Sequence, residues 1–196
     1  MQKIDICRLT SKHLNDYLYF FEKVAHTDNK EWDRCYCVNF CSDNNLEVAE
    51  ILRDADERRQ YAIKYVNEGI IQGYLAYYEG KVIGWCNAND RANCLECFGW
   101  QIISGNSETI EDRRKVKSVF CFTIAPEMRG KKIATALLEQ VIKDAKQEGY
   151  DYIECYPNKT ESDLYYNFVG PMGLYKKFGF ELYGETENRL VLRKKL

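Results

Sequence analysis

Long apolar runs are missing from this chain of 196 residues. No stretch is apolar enough to cross a bilayer as a helix, and residues 1–10 carry three charged side chains where a signal peptide would be apolar. A strong charge of one sign is missing too, because the formal net charge is only −2. We therefore expect a cytoplasmic protein, with no membrane partner and no general attraction to nucleic acid.

A complete set of disulfides is excluded because the chain has nine cysteines, an odd number. The expected compartment keeps thiols reduced. The pairs Cys35/Cys37 and Cys94/Cys97 raise the alternative of a four-thiolate zinc site, but Cys-x-Cys is tighter than the usual zinc spacing and no histidine adjoins either pair. We expect no metal, and cysteines that pack as small apolar side chains.

The composition, with 45% hydrophobic and 30% charged residues, is that of a globular protein. We find no repeat or linker and expect a single domain over residues 1–196. Residues 87–111 show no clear period and are expected to form a long connection, with one short element around residues 98–103. The hydrophobic patterns predict strands at 4–8, 74–78, 81–86, 117–124, 150–156, 180–183 and 189–193, and helices at about 11–24, 45–67, 132–149 and 171–177.

This order predicts an α+β (mixed α/β) fold with one clear β-α-β unit over residues 117–156. The strand-to-helix turn in that unit is the most informative segment. It holds Arg129, Gly130, Lys131 and Lys132 beside a helix N-terminus, whose free N–H groups favour an anion. Gly130 allows the backbone to approach a ligand closely. The segment therefore predicts a site for a polyanion such as a pyrophosphate.

Two common phosphate loops are absent, since the sequence contains neither G-x-x-x-x-G-K-S/T nor G-x-G-x-x-G. Residues 119–138 instead resemble the coenzyme A motif of the GNAT acetyltransferases: an apolar strand end, Pro-Glu, then Arg or Gln, x, x, Gly, x, Gly or Ala. The last six positions are residues 129–134 here. Lys132 departs from the pattern, because the family usually has glycine there, and we expect it to bring a charge to the phosphates.

A second motif, residues 174–180 (Leu-Tyr-Lys-Lys-Phe-Gly-Phe), resembles the helix and following strand of the same family. The two motifs stand in the family's order and spacing, and the clear resemblance covers residues 117–183. The asparagine and alanine that often precede the tyrosine are missing, and Phe168 and Pro171 stand in their places. The resemblance implies the GNAT fold, a central twisted, mixed, mostly antiparallel sheet flanked by helices.

The resemblance also implies an activity, the direct attack of an acceptor's primary amine on the thioester of acetyl-CoA, without metal. Tyr175 would be the general acid for the leaving thiolate, and the Ile124 N–H would stabilise the oxyanion. Glu154 is the candidate general base, with Glu111 and Asp112 as further acidic residues near the cleft. The resemblance assigns coenzyme contacts to Phe122, Thr123, Ile124, Arg129, Gly130, Lys131, Lys132, Ile133, Ala134, Thr135, Asn158, Phe168 and Pro171.

The acceptor, a small molecule or a peptide, is not readable from the sequence, and neither is the choice between monomer and homodimer. Trp32, Tyr36, Trp85, Asn87 and Trp100 are candidates for the acceptor pocket, with ordinary core packing as the alternative. A cysteine nucleophile with a histidine base has no support in the residue spacing. Two other functions stay open: a catalytically silent CoA-binding regulatory module, and a redox- or zinc-linked regulator.

Overall fold

The computed structural model describes residues 4–41, 50–105, 114–160 and 167–196. Its helices are α1 (Leu14–Tyr19), α2 (Ala55–Asn67), α3 (Phe98–Ser104), α4 (Ile133–Gln147) and α5 (Met172–Lys177). Its strands are β1 (Asp5–Arg8), β2 (Gly73–Tyr78), β3 (Lys81–Asp90), β4 (Val116–Ile124), β5 (Tyr152–Cys155), β6 (Glu181–Glu185) and β7 (Leu190–Lys195).

Over these ranges the strands form one seven-stranded sheet in the order β1-β2-β3-β4-β5-β7-β6. The pair β4 and β5 is parallel, and the other neighbouring pairs are antiparallel. The predicted α+β class and mixed, mostly antiparallel sheet are confirmed. The parallel pair follows from its connection, because parallel neighbours need a crossover, and α4 supplies it.

The sheet has a hydrophobic core on each face. On one face, α1 and α2 cover a cluster that contains Tyr17, Phe21 and Trp85. On the other, α4 packs through Leu137, Leu138 and neighbouring apolar residues spaced along one side of the helix. In the part of the chain that the structure describes, no helix is long and apolar enough to cross a membrane.

The short element expected around residues 98–103 is present as α3. One strand differs from the sequence prediction, because the strand expected to end at Cys86 continues to Asp90. A register shift between Asn87 and Ala88 breaks the alternation along the strand. The buried polar side chains of Asn87 and Asn89 further hide its pattern.

The helix predicted from about residue 45 is also different. Residues 42–49, which include its predicted start, lie outside the described residues. The helix α2 begins at Ala55, where the Asp54 carboxylate accepts hydrogen bonds from the N–H groups of Asp56 and Glu57. Aspartate is a preferred N-cap because it satisfies these otherwise unpaired donors.

The strands β4 and β5 separate part of the way along β4. Their pairing runs from Val116 opposite Tyr152 to Val119 opposite Cys155. From there β4 continues to Ile124 while it stays paired with β3 on its other side. One edge of β4 beyond Val119 is therefore not covered by β5, and the cavity described next lies at this end of the strand.

Candidate active site

A cavity of about 670 Å³ lies at the end of β4. Its walls come from residues 26–40, the end of β4, the β4–α4 turn with the start of α4, and residues 167–177, with Ile102 of α3 as a further wall residue. Most of the coenzyme residues assigned from the resemblance line it: Phe122, Thr123, Ile124, Arg129, Gly130, Lys132, Ile133, Ala134, Thr135, Phe168 and Pro171.

The β4–α4 turn presents a helix N-terminus to this cavity. A short 3-10 turn over Pro126–Met128 redirects the chain, and Gly130 follows with a φ of 75°. A Cβ at Gly130 would meet no atom within 4 Å, so the backbone there is open to a ligand. No side chain caps α4. The first-turn N–H groups and the helix dipole therefore favour an anion at this position.

Lys132 is the N-cap residue of α4 and adopts the left-handed conformation, with φ 64° and ψ 20°. Glycine reaches this region readily, whereas a residue with a Cβ is strained there by roughly 1–2 kcal/mol. The backbone thus follows a path that suits the family's glycine, although lysine occupies the position. The side chain lines the cavity and adds a positive charge to the turn.

The other cations of the turn have different roles. Arg129 forms a bidentate ion pair with Asp28, in which the two guanidinium N–H groups lie 2.5 and 3.3 Å from the carboxylate oxygens. Its charge is therefore partly balanced within the protein. Lys131 does not line the cavity, and its Nζ lies 3.7 Å from the sulfur of Met128. Lys177, which the sequence did not single out, does line the cavity.

The exposed edge of β4 meets the segment 167–170. The N–H of Phe122 donates a 2.6 Å hydrogen bond to the carbonyl oxygen of Phe168. On the other edge, the N–H of Ala125 bonds to Ile83 at 2.9 Å. Because successive N–H groups of a strand point to opposite sides, the N–H of Ile124 is directed toward the side that β5 has left.

Tyr175, the expected general acid, is fully buried and does not line the cavity. Its hydroxyl donates a hydrogen bond to the carbonyl oxygen of Val169, behind Gly170. Burial, and then the neighbouring Cys155, raise the pKa of the phenol well above its ordinary value. The structure therefore holds Tyr175 protonated beside the cavity wall, but not in contact with the cavity.

Glu154, the expected general base, does not reach the cavity either. It is fully buried and accepts hydrogen bonds from Arg193, Arg91 and Tyr156, with donor distances of 2.8, 3.3 and 2.7 Å. Its carboxylate is held by the guanidinium groups of Arg91 and Arg193 in the core and does not line the cavity in which an acceptor amine would bind. We therefore correct this prediction and assign Glu154 a structural role. Glu111 and Asp112 lie outside the described residues.

The remaining predicted residues divide between wall and core. Asn158 does not line the cavity and forms an isolated β-bridge with Arg189. Of the candidates for the acceptor pocket, Trp32 lines the cavity. The other four, Tyr36, Trp85, Asn87 and Trp100, are buried and lie outside its lining.

The sequence did not predict His26 and three thiols, those of Cys35, Cys37 and Cys121, as wall residues. Burial, and then the charge of Arg129, lower the pKa of His26 to about 4, so its imidazole is neutral.

Within the described ranges, no group of three or more His, Cys, Asp or Glu side chains is arranged to hold a metal ion.

Comparison with protein families defines the class that this fold and cavity represent. The family model "Acetyltransferase (GNAT) family" matches residues 27–180. The match spans more than half of the chain, and the chain belongs to the GNAT acetyltransferase family. No curated protein matches the chain at a significant level of sequence similarity.

Solved structures share the fold at low sequence identity. The PaiA N-acetyltransferase from Thermoplasma acidophilum, in complex with coenzyme A, has 15% identity and a TM-score of 0.56, with 100% of each chain covered. A GNAT-family acetyltransferase from Streptococcus pneumoniae has 16% identity and a TM-score of 0.55, with 99% of this chain and 100% of that one covered. An N-acetyltransferase from Staphylococcus aureus Mu50 has 15% identity and a TM-score of 0.53, with 100% and 98% covered.

Proposed function

We propose that this protein is an acetyl-CoA-dependent N-acetyltransferase that transfers an acetyl group to a primary amine by direct attack. One observation carries the proposal. The uncapped N-terminus of α4 opens, through Gly130 and the left-handed Lys132, onto a cavity whose inner end is the edge of β4 that β5 has left. This arrangement offers an anion site at one end and a row of backbone groups at the other.

The residues present fit coenzyme A as a ligand. The pyrophosphate would lie against the first-turn N–H groups of α4, with the Lys132 charge beside it. The pantetheine arm carries amides, which the edge of β4 that β5 has left would pair with as a neighbouring strand does, in place of the Phe122–Phe168 hydrogen bond. The neighbour from Thermoplasma acidophilum was solved with coenzyme A, which supports the same ligand class for this fold.

The acetyl transfer needs an oxyanion donor and a proton for the leaving thiolate. We assign the first role to the Ile124 N–H, which is directed toward the side where β5 has diverged. Tyr175 is the proposed acid for the second role. Its hydroxyl is bonded to Val169, so this role requires the segment 167–170 to shift when the coenzyme binds. Exposure would then bring the Tyr175 pKa back toward its ordinary value of about 10, where proton transfer to a thiolate is feasible.

A second candidate function is a catalytically silent CoA-binding module. The Phe122–Phe168 and Tyr175–Val169 hydrogen bonds favour it, because they engage groups that catalysis would use. In this case the coenzyme would bind at the α4 turn while the inner end of the cavity stays closed.

Turnover separates the two candidates. Release of the CoA thiol is measured with acetyl-CoA and a panel of amines, for the wild-type protein and for Tyr175→Phe. The enzyme proposal predicts amine-dependent thiol release, and a fall in kcat of roughly 10²–10⁴-fold in the variant, with little change in acetyl-CoA affinity. Binding of acetyl-CoA with no turnover on any amine would favour the silent module.

A further inference from the structure

Three thiols lie together on one wall of the cavity. Cys121 belongs to β4, while Cys35 and Cys37 come from the wall segment 26–40. Cys37 has a φ of 52° and follows Tyr36 at 48°, so two consecutive residues adopt the left-handed region. Such strain persists only where the surroundings impose it, and it is common at functional sites. The proposed acetyl transfer uses none of these thiols.

Buried donors surround the sulfur of Cys37. The Asn87 side-chain N–H donates to it at 3.4 Å, and both residues are buried. Asn87 is fully inaccessible, and its Oδ1 has no hydrogen-bond partner among the described residues. The Trp85 side chain is also fully buried, and its indole N–H has no hydrogen-bond partner among the described residues. This N–H lies near the Cys37 sulfur and favours a negative charge on it.

These donors favour a thiolate at Cys37. Burial by itself would raise the pKa of this thiol, but interactions with Cys121, the nearby Trp85 N–H and Asn87 hold the pKa below its ordinary value. Cys121 shows the opposite effect. Its hydrogen bond to Cys37, and then burial, raise the Cys121 pKa well above the ordinary range, so Cys121 keeps its proton and acts as a donor.

Cys35 is not activated in this way. Its sulfur lies 3.5 Å from Nε2 of His26, a pair that suggests a thiolate and an imidazolium. Burial, however, raises the Cys35 pKa to about 12 and lowers the His26 pKa to about 4. Both groups are therefore neutral near pH 7. The thiolate is the nucleophile in thiol chemistry, so Cys37 is the reactive member of the group.

We propose that Cys37 is a site of covalent coenzyme A attachment by thiol–disulfide exchange with CoA disulfide. This inference rests on the proposed function, because the anion site at α4 would hold one CoA half while its sulfur lies in the cavity. The Cys37 thiolate attacks one sulfur of the disulfide, a Cys37–CoA S–S bond forms, the original S–S bond breaks, and the second CoA leaves as a thiolate. The tethered CoA fills the cavity and blocks acetyl transfer until a thiol reductant releases it.

The test is intact-mass spectrometry of the reduced protein after incubation with CoA disulfide, followed by peptide mapping. We expect one CoA per chain, located on Cys37 and removed by dithiothreitol. The matched reagent is pantethine, the disulfide that lacks the nucleotide and its phosphates. CoA disulfide should react at least about tenfold faster, which corresponds to about 1.4 kcal/mol of recognition. Free CoA should slow the reaction.

Variants sharpen the assignment. Cys37→Ser should abolish the adduct, whereas Cys7→Ser should not change it, because Cys7 is a partly exposed thiol outside the cavity. Cys37 is buried, so folding of its variant is checked by circular dichroism. Mapping of the wild-type adduct gives the same assignment without any variant.

Two results would overturn the proposal. An adduct on Cys7 or Cys35, or none at all, in protein that binds acetyl-CoA would reject the Cys37 site and leave the proposed function standing. Equal rates with CoA disulfide and pantethine, in protein that does not bind acetyl-CoA, would reject both.

Discussion

The N–H of Phe122 and the carbonyl oxygen of Phe168 form a 2.6 Å hydrogen bond where β4 has lost its partner β5. The segment 167–170 therefore pairs with the strand edge that the proposed mechanism assigns to the pantetheine arm. Its position depends on Gly170, which has a φ of 83° and whose Cβ would lie 2.8 Å from the Tyr175 hydroxyl. The edge of β4, the segment 167–170 and Tyr175 are therefore linked by direct contacts.

Gly170→Ala should destabilise the protein more than Gly149→Ala. Both glycines have a positive φ, at 83° and 70°, so both variants incur left-handed strain of roughly 1–2 kcal/mol. A Cβ at Gly149 meets no atom within 4 Å, whereas one at Gly170 also meets the Phe122 ring at 3.2 Å. The melting temperature should fall further for Gly170→Ala. Equal shifts would show that the segment is not held against Phe122 and Tyr175.

Lys132→Gly should stabilise the fold while it weakens acetyl-CoA binding. Glycine relieves the left-handed strain, for a net gain of up to about 1 kcal/mol, and the lost charge should weaken binding roughly three- to tenfold. Lys131→Gly is the matched control, because Lys131 has no positive φ and does not line the cavity. We expect it to lower stability slightly and to leave binding unchanged. If the two variants weaken binding alike, Lys132 has no special role.

Glu154→Gln should lower stability without a specific effect on catalysis. The variant removes the charge with which Glu154 pairs to the buried guanidinium groups of Arg91 and Arg193, and breaking a buried ion pair costs about 3–5 kcal/mol. Chemical denaturation measures this loss. The KM and kcat of the folded fraction, at a temperature below its transition, should stay near wild type. A selective loss of kcat with normal stability would restore Glu154 as the general base.

Stability should fall as the pH drops from 6.5 to 4, in part because of His26. Its folded pKa of about 4 lies below the ordinary 6.5, owing to burial and then Arg129. The unfolded chain therefore takes up the proton first, and up to roughly 3 kcal/mol of stability disappears across this window. His26→Gln should flatten the pH dependence of urea unfolding. An unchanged profile for His26→Gln would contradict the assignment.

The sequence predicted the fold because its main signals are local. The strands expected at 74–78 and 81–86, the strand at 117–124 and the helix at 132–149 all appear, as β2, β3, β4 and α4. The β4–α4 turn could also be predicted from the sequence, because Gly130 and the cationic residues lie next to one another at the start of a single helix. Lys132 shows that a backbone path can persist where its usual glycine is replaced.

The inner end of the cavity was less predictable because its contacts are long-range. Glu154 lies on a strand, and the alternation of polar and apolar residues alone does not show whether its side chain faces a cleft or a buried ion pair. The partner that decides the case, Arg193, is 39 positions away. Cys37 meets Asn87 across 50 positions, and Phe122 meets Phe168 through the backbone. No local pattern encodes these neighbours.

The most direct test of the central claim is to measure the melting temperature of the purified protein at rising concentrations of acetyl-CoA. ATP and NAD serve as control ligands. At about 100 times the dissociation constant, acetyl-CoA should add roughly 2.7 kcal/mol, which is a rise of several degrees at about 2–4 °C per kcal/mol. We predict this rise with acetyl-CoA alone. The absence of a shift, or a shift with ATP instead, would contradict the assignment of the α4 turn as the coenzyme A site.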